Sequence, residues 1–273
     1  MTRKFNTAGP NKPERHYSID PFQRIHWPEM IGLVQDERYF VLHAPRQSGK
    51  TTILRAIVQR LNGLGEYEAL KVNAENAQSA GHDVATGIRT ILELIGNEAS
   101  LEFPESWLAN NWRTVADSSA PQNALTLVLQ QWSVHANHPT VLLIDEIDSL
   151  VGDTLVSVLR QVRSGYEKRP EQFPQSIILC GVRDVRDYDI HTSSGGIVRG
   201  GSCFNIKAES LRLGNFSQDE VQTLYHQHTA ETGQVFEDPV HPAVMTMTRG
   251  QPWFANALAR ELTEKTPELR DRT

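Results

Sequence analysis

One stretch constrains this chain more than any other: Ala44-Pro45-Arg46-Gln47-Ser48-Gly49-Lys50-Thr51-Thr52, set between the apolar run Tyr39-Phe40-Val41-Leu42-His43 and a helical pattern that starts at Thr51. The order is strand, loop, helix. The spacing, a small residue, four residues, then Gly-Lys-Thr, is that of a phosphate-binding loop, with Ala44 where the pattern has its first Gly. Successive N–H groups in such a loop turn inward as an anion nest, and the positive end of the following helix adds to it. A polyphosphate is the guest this chemistry selects. Gly49 lets the backbone approach it closely, Lys50 reaches the β- and γ-phosphates, and the Thr51 hydroxyl ligates Mg²⁺.

A second motif supports the first. Thr140-Val141-Leu142-Leu143-Ile144 is a continuous, mostly branched apolar run, as a strand buried on both faces of a parallel sheet requires, and it ends in Asp145-Glu146. Ligands of parallel α/β sheets bind at the C-terminal edge, where both carboxylates then fall. Asp145 belongs in the shell of the Mg²⁺ ion, and Glu146, one residue beyond, is suited to polarise an attacking water. A further apolar run, Ser176-Ile177-Ile178-Leu179-Cys180, leads directly into Gly181-Val182-Arg183-Asp184. With that strand beside the first, Arg183 emerges near the γ-phosphate, where a guanidinium binds two oxygens. The competing reading is a structural ion pair between Arg183 and Asp184. Glu146, Lys50 and Arg183 are thus the candidate catalytic residues of a nucleotide site.

Composition narrows the rest. At 273 residues, 39% hydrophobic and 22% charged, the chain has room for one large domain and a smaller one. Its net charge of -6 argues against nucleic-acid binding over the whole surface, though not against a local basic patch. No apolar run of about 18 residues is present and residues 1–14 lack the apolar core of a signal peptide, so the expectation is a cytoplasmic protein without membrane contact. Cys180 and Cys203 show no metal-ligand spacing and read as reduced and buried.

In chain order, residues 1–16 are polar, carry Pro10 and Pro13, and read as a mobile arm. Residues 17–213 read as the nucleotide-binding core and 214–273 as a small helical lid. The segment from Tyr17 to Ile25 is weighed as a wall for the base against plain core packing. Pro28 opens a short helix. Ile53, Leu54, Ile57, Val58 and Leu61 stripe the next one, which Asn62-Gly63 closes. After a strand over 69–73, a helix with Val84, Ile88, Ile91, Leu92 and Ile95 inward stops near Gly96. Residues 97–119 show no dominant period and read as an irregular insertion with a short helix, its Trp107 and Trp112 better explained by packing than by stacking on a ligand. Asp153 is expected to cap a helix with Leu155, Val158, Leu159 and Val162 inward and Arg160, Arg163 and Arg169 near its solvated side. The Gly-rich 191–202 reads as a mobile loop, and the fifth strand falls at 203–206 or 210–213. Ser217-Gln218-Asp219-Glu220 has capping-box spacing and opens the first of three lid helices.

Between two of those helices, Arg249-Gly250-Gln251-Pro252, followed by Trp253-Phe254-Ala255-Asn256-Ala257-Leu258, resembles the Gly-x-Pro element of the signal-transduction ATPases with numerous domains, the STAND class of P-loop ATPases, and of initiator-type relatives. With 44–52, 140–148 and 178–184, the resemblance orders most of the chain from Tyr17 onward. The wording around Lys50 and from Leu143 to Asp148 is also similar to bacterial AAA-like ATP-binding proteins. The resemblance implies an α/β, three-layer P-loop NTPase fold of the ASCE type, with parallel strands in the order 5-1-4-3-2 and a small C-terminal helical lid. It further implies ATP and Mg²⁺ as ligands, Pro252 against the adenine, and ATP hydrolysis in a nucleotide-controlled switch. Its partners would be further copies of the chain or a separate effector protein. A nucleic-acid remodeller and a non-hydrolysing ATP-binding scaffold are the alternatives, the first disfavoured by the acidic balance. Members of the class commonly continue into a winged helix or effector domain, whereas only 260–273 follow here, so the output module is expected to be absent or separate. Arg163, Arg186 and Arg199 are candidates for an arginine finger, a group worth about 10³ to 10⁵ in rate, and slow turnover is expected of an isolated chain. GTP is not favoured, since no Asn-Lys-x-Asp motif follows a strand, and no feature marks the second acceptor pocket of a kinase.

Overall fold

The structure, a computed structural model, describes residues 2–265. It divides into two compact units, one of Trp27–His43 with Leu54–Arg212, the other of Met1–His26, Ala44–Ile53 and Leu213–Thr273. The partition differs from the expected boundaries by grouping the N-terminal segment and the phosphate loop with the C-terminal helices.

The first unit is built on a parallel sheet. Its strands are β1 (Tyr39–His43), β2 (Glu68–Asn73), β3 (Thr140–Asp145), β4 (Ser176–Gly181) and, after an antiparallel hairpin of β5 (Asp189–His191) and β6 (Ile197–Arg199), β7 (Lys207–Arg212). They lie side by side as β2-β3-β4-β1-β7, the expected 5-1-4-3-2 read from the opposite edge with β7 in fifth place. β7 begins earlier than the later of the two expected spans for the fifth strand and misses the earlier one entirely. No position of β3 or β4 is exposed, which explains their unbroken apolar runs. His43 lies level with Gly181 and Asn73 with Asp145, so the strands end along one edge.

Helices cover both faces. They are α1 (Trp27–Gln35), α2 (Lys50–Leu64), α3 (Val84–Glu102), α4 (Trp107–Asp117), α5 (Pro121–His135) and α6 (Gly152–Ser164). Val41, Leu70, Val72, Leu142, Ile144, Ile177 and Leu179 share one core with α3 to α6. The alternate strand positions, among them Phe40, Leu42, Leu143, Ile178 and Cys180, are equally buried and lie outside that core, as do Met30, Val34, Leu54, Ile57 and Leu61 of α1 and α2. The result is the three-layer P-loop NTPase fold.

Several local expectations are corrected. α3 does not stop at Gly96 but runs to Glu102, because that glycine makes room for a neighbour: a Cβ there would stand 2.0 Å from Trp112 Nε1. Residues 97–119 are accordingly the end of α3 plus all of α4, with Trp112 buried and Trp107 stacked on His135. Asn62 does not close α2. Its amide bonds both the N–H and the carbonyl of Ala69, and the left-handed turn falls at Gly65. Asp153 is not a cap, since Val151 holds that position; its Oδ2 accepts instead from the Ser193 N–H at 3.1 Å and faces His82 Nδ1 at 3.0 Å. The stretch 191–202 contains β6 and the start of α7 (Gly200–Cys203), seated so tightly that a Cβ on Gly200 would meet the Val185 carbonyl at 1.9 Å. Arg169 is not on a solvated face either: its guanidinium lies 3.4 Å from the Tyr166 ring centroid and 5.0 Å from that of Tyr39.

The second unit holds α8 (Gln218–Thr232), opened by the Ser217–Glu220 capping box, α9 (Val240–Thr248) and α10 (Pro252–Arg260). The expected mobile arm is packed here. Phe5, Tyr17 and Ile19 are buried with Val221, Leu224, Tyr225, Phe236, Val244, Ala255 and Ala259. Polar ties add to this anchor: the Thr7 carbonyl accepts from Trp253 Nε1 at 2.8 Å, its Oγ1 from Arg260 Nη1 at 2.7 Å, and Arg3 pairs with Glu231 at 3.1 Å. Phe5 gives this otherwise polar segment a buried apolar anchor, beside which the polar ties act. Among the described residues no helix is long and apolar enough to cross a membrane.

Candidate functional site

The phosphate loop leaves β1 at Ala44 and enters α2 at Lys50. Its backbone alternates, with Gln47 at φ 60° and Gly49 at φ 89° in left-handed geometry. Ala44, buried, has no such φ, so the missing first glycine costs the backbone nothing. Every carbonyl from Ala44 to Ser48 has a donor. Lys50 Nζ donates to those of Ala44 at 3.0 Å and Pro45 at 3.2 Å, and Ser48 Oγ donates to that of Pro45 at 2.7 Å. Gln251 Nε2 donates to those of Arg46 at 3.4 Å and Gln47 at 3.3 Å, and Arg24 Nη1 to that of Ser48 at 2.8 Å. The N–H groups of Arg46, Gln47, Ser48 and Gly49 donate to no described residue. Carbonyls tied back with N–H groups left over is the arrangement that receives an anion.

Around this loop the second unit contributes more than the sequence reading foresaw. The Asn11 N–H donates to Thr52 Oγ1 at 3.2 Å, which brings the N-terminal segment onto the first turn of α2. Tyr17 and Ile19 belong to the helical core, so core packing, not a wall for the base, describes them. Pro252 is buried as the first residue of α10, and its neighbour Gln251, whose Oε1 caps that helix through the Phe254 N–H, is the member of the Gly-x-Pro element that reaches the loop.

At the C-terminal edge of the sheet, Asp145 is completely buried. Its Oδ2 lies 3.4 Å from Lys71 Nζ and its Oδ1 accepts from the Glu146 N–H at 3.1 Å. Such a carboxylate needs a compensating charge, and Lys71 supplies one; a lone lysine inside the apolar run of β2 was the available sequence signal. Glu146 itself has left-handed backbone, φ 53° and ψ 42°, a strain of about 1 to 3 kcal/mol for a non-glycine residue that concentrates at functional positions.

Arg183 is exposed, two residues past the end of β4, and β4 is the strand lying between β1 and β3. Its carbonyl accepts from Tyr188 Oη at 3.1 Å, its guanidinium lies 5.8 Å from that ring's centroid, and the preceding Val182 N–H donates to Asp148 Oδ1 at 3.3 Å. Burial pushes the Tyr188 phenol up, with the Asp148 carboxylate adding to the shift. Asp184 pairs with Arg186 at 3.3 Å, so the ion pair weighed for Arg183 is made by another arginine. Of the three finger candidates, Arg186 is so engaged, Arg163 Nη1 donates to the Ser202 carbonyl at 3.1 Å, and Arg199 stands exposed on β6.

The AAA domain family matches residues 34–188, a span that takes in the loop, Asp145-Glu146 and Arg183. No curated protein sequence matches the chain. Among solved structures, a Walker-type ATPase of Pyrococcus abyssi superposes with a TM-score of 0.63 at 12% identity, over 94% of this chain and 70% of that one. The Aeropyrum pernix ORC2 protein, in ADPNP and ADP complexes, gives 0.55 at 17%, over 90% and 64%. Domain III of the replication initiation protein DnaA of Thermotoga maritima gives 0.51 at 12%, over 95% and 92%. At these identities the likeness is one of fold.

Proposed function

Because the chain belongs to the AAA domain family, we propose that it binds ATP with Mg²⁺ and hydrolyses it to ADP and phosphate, as a nucleotide-controlled conformational switch of the STAND or AAA-like kind. The observation that carries the reading is the loop at 44–49, whose carbonyls are all engaged while four successive N–H groups have no described acceptor. In this reading those N–H groups cradle the polyphosphate, and Lys50 exchanges the Ala44 and Pro45 carbonyls for β- and γ-phosphate oxygens. Thr51 and Asp145 would hold the Mg²⁺, which would supply charge neutralisation to the phosphates. Glu146 orients and polarises the water, Arg183 binds the γ-phosphate and registers its loss, and Pro252 lies against the adenine. The C-terminal helices act as the lid, the partner is another copy or a separate effector, and the setting is cytoplasmic.

ATP hydrolysis measured across protein concentration, with Glu146→Gln as control, tests this. Specific activity that rises with concentration supports a site completed by a neighbouring copy and directs attention to Arg199. Tight ATP binding with phosphate release no greater than that of Glu146→Gln at every concentration refutes hydrolysis and leaves a nucleotide-held scaffold. Failure to bind ATP refutes the whole reading.

A further inference from the structure

Two residues outside the loop hold its peptides. In a trans peptide the carbonyl of one residue and the N–H of the next point in opposite directions. Gln251 Nε2 takes the carbonyls of Arg46 and Gln47, and Arg24 Nη1 takes that of Ser48. The N–H groups set by these three peptides are those of Gln47, Ser48 and Gly49, the middle of the anion nest. Arg24 lies so close beneath the loop that a Cβ on Gly49 would stand 3.0 Å from its Nη1.

The same two side chains reach into the C-terminal segment. Arg24 Nη2 donates to the Gly214 carbonyl at 2.6 Å, and its guanidinium lies 4.8 Å from the Phe216 ring centroid. The Phe216 N–H donates to the Gly250 carbonyl at 2.7 Å, and Gln251 follows at once, capping α10. The contacts therefore close a ring, from Ser48 through Arg24 to 214–216, across to Gly250, and back through Gln251 to Arg46 and Gln47. Burial pushes the Arg24 guanidinium down to about 10, so it stays charged at neutral pH.

We propose that Arg24 and Gln251 are positioning residues of the phosphate site: they aim the N–H groups of Gln47, Ser48 and Gly49 at the polyphosphate, and so link phosphate binding to the seating of 214–216 and α10. This rests on the nucleotide reading above. It requires the effect to fall on the phosphates, independent of the base.

Calorimetric titration of the full chain with Mg-ATP and, separately, with inorganic tripolyphosphate tests the proposal, with melting followed in parallel. Arg24→Met keeps the stem and removes a charged donor; it should weaken both probes by the same factor, about tenfold to a hundredfold. Arg24→Lys should recover part of the loss, a point charge serving one carbonyl where the fork serves two. Gln251→Asn keeps a capping side chain for α10 but is too short for the loop, and should weaken both probes by about twofold to tenfold. Variants that lose thermal stability while binding tripolyphosphate as the parent does would overturn the proposal, and so would a loss confined to Mg-ATP. If Arg24→Met does not fold, Gln251→Asn decides. A parent chain that binds neither probe brings down the nucleotide reading itself; a parent that binds both with variants unchanged brings down only this one.

Discussion

Gly96→Ala sets two magnitudes of opposite sign against each other. Glycine inside a helix costs about 0.5 to 1 kcal/mol relative to alanine, so propensity alone makes the substitution stabilising. Packing reverses the sign. The new methyl would stand 2.0, 2.4 and 2.5 Å from three atoms of the Trp112 indole, where carbon contacts need about 3.5 Å or more. The indole cannot retreat cheaply: Trp112 is 1% exposed and sits among Leu108, Ile95 and Ala99, with the Arg89 and Arg113 guanidiniums 5.3 and 4.7 Å from its ring. Overpacking of a filled core costs about 1 to 3 kcal/mol, and a displacement of more than an ångström belongs at the upper end. The net expectation is a loss of about 2 kcal/mol. Gly32, in the middle of α1 with nothing within 4 Å of its virtual Cβ, is the control, and Gly32→Ala should gain about 0.5 kcal/mol or more. Urea unfolding followed by tryptophan fluorescence should lower the midpoint for the first and raise it for the second, with the slope unchanged. A Gly96→Ala chain as stable as the parent would refute the packing argument.

The remaining expectations concern the site and the N-terminal anchor. Lys50→Ala should abolish nucleotide binding in a direct titration, whereas Glu146→Gln should retain binding and lose phosphate release; parent-like behaviour of both would remove these residues from the site. Phe5→Ala empties a position 3% exposed and should cost about 3 kcal/mol, freeing the arm and, with it, the Trp253 indole from the Thr7 carbonyl, which limited proteolysis and tryptophan emission would report. Hydrogen bonds from Ser193 first, then His82, hold the Asp153 carboxyl below its ordinary range. A depressed folded-state value means that the contact is fully present above the unfolded value of about 3.9 and is lost as pH falls through the folded one. The β5–β6 tip should therefore stay protected from protease at neutral pH and loosen only below about pH 4, while Asp153→Ala should loosen it at pH 7.

What the sequence made legible follows from which signals are local. β3 and β4 announce themselves because burial on both faces selects the unbroken apolar runs 141–144 and 177–180, and the loop because its glycine, lysine and threonine stand at the spacing of a phosphate-binding loop. Gly96 misled because a glycine that ends a helix and one that admits a neighbouring indole look alike without the neighbour, and Trp112 lies on a different helix. Phe5 shows the converse: average polarity describes a segment and does not register the one ring buried within it. Asp153 looks like a cap from its place before an apolar stripe, yet its partners, His82 and Ser193, come from far away in the chain.

The same distinction separates the parts of the site. In the proposed nucleotide site, Lys50, Thr51, Asp145 and Glu146 sit in contiguous motifs, because each would reach one ligand from the end of a strand or the start of a helix, and that fixes their spacing. Arg24, Gln251 and Lys71 act on other protein groups, a carbonyl or a buried carboxylate, and such a donor can come from anywhere in the fold that lies within reach. Arg24 precedes Ser48 by 24 residues and Gln251 follows Arg46 by 205, so no spacing rule connects them. Yet a phosphate loop works only if its peptides already face the right way, since N–H groups that must turn to meet the ligand spend part of the binding energy on turning. Residues that leave no motif are thus expected wherever a motif's backbone must be held, and the carbonyls are the place to look for them.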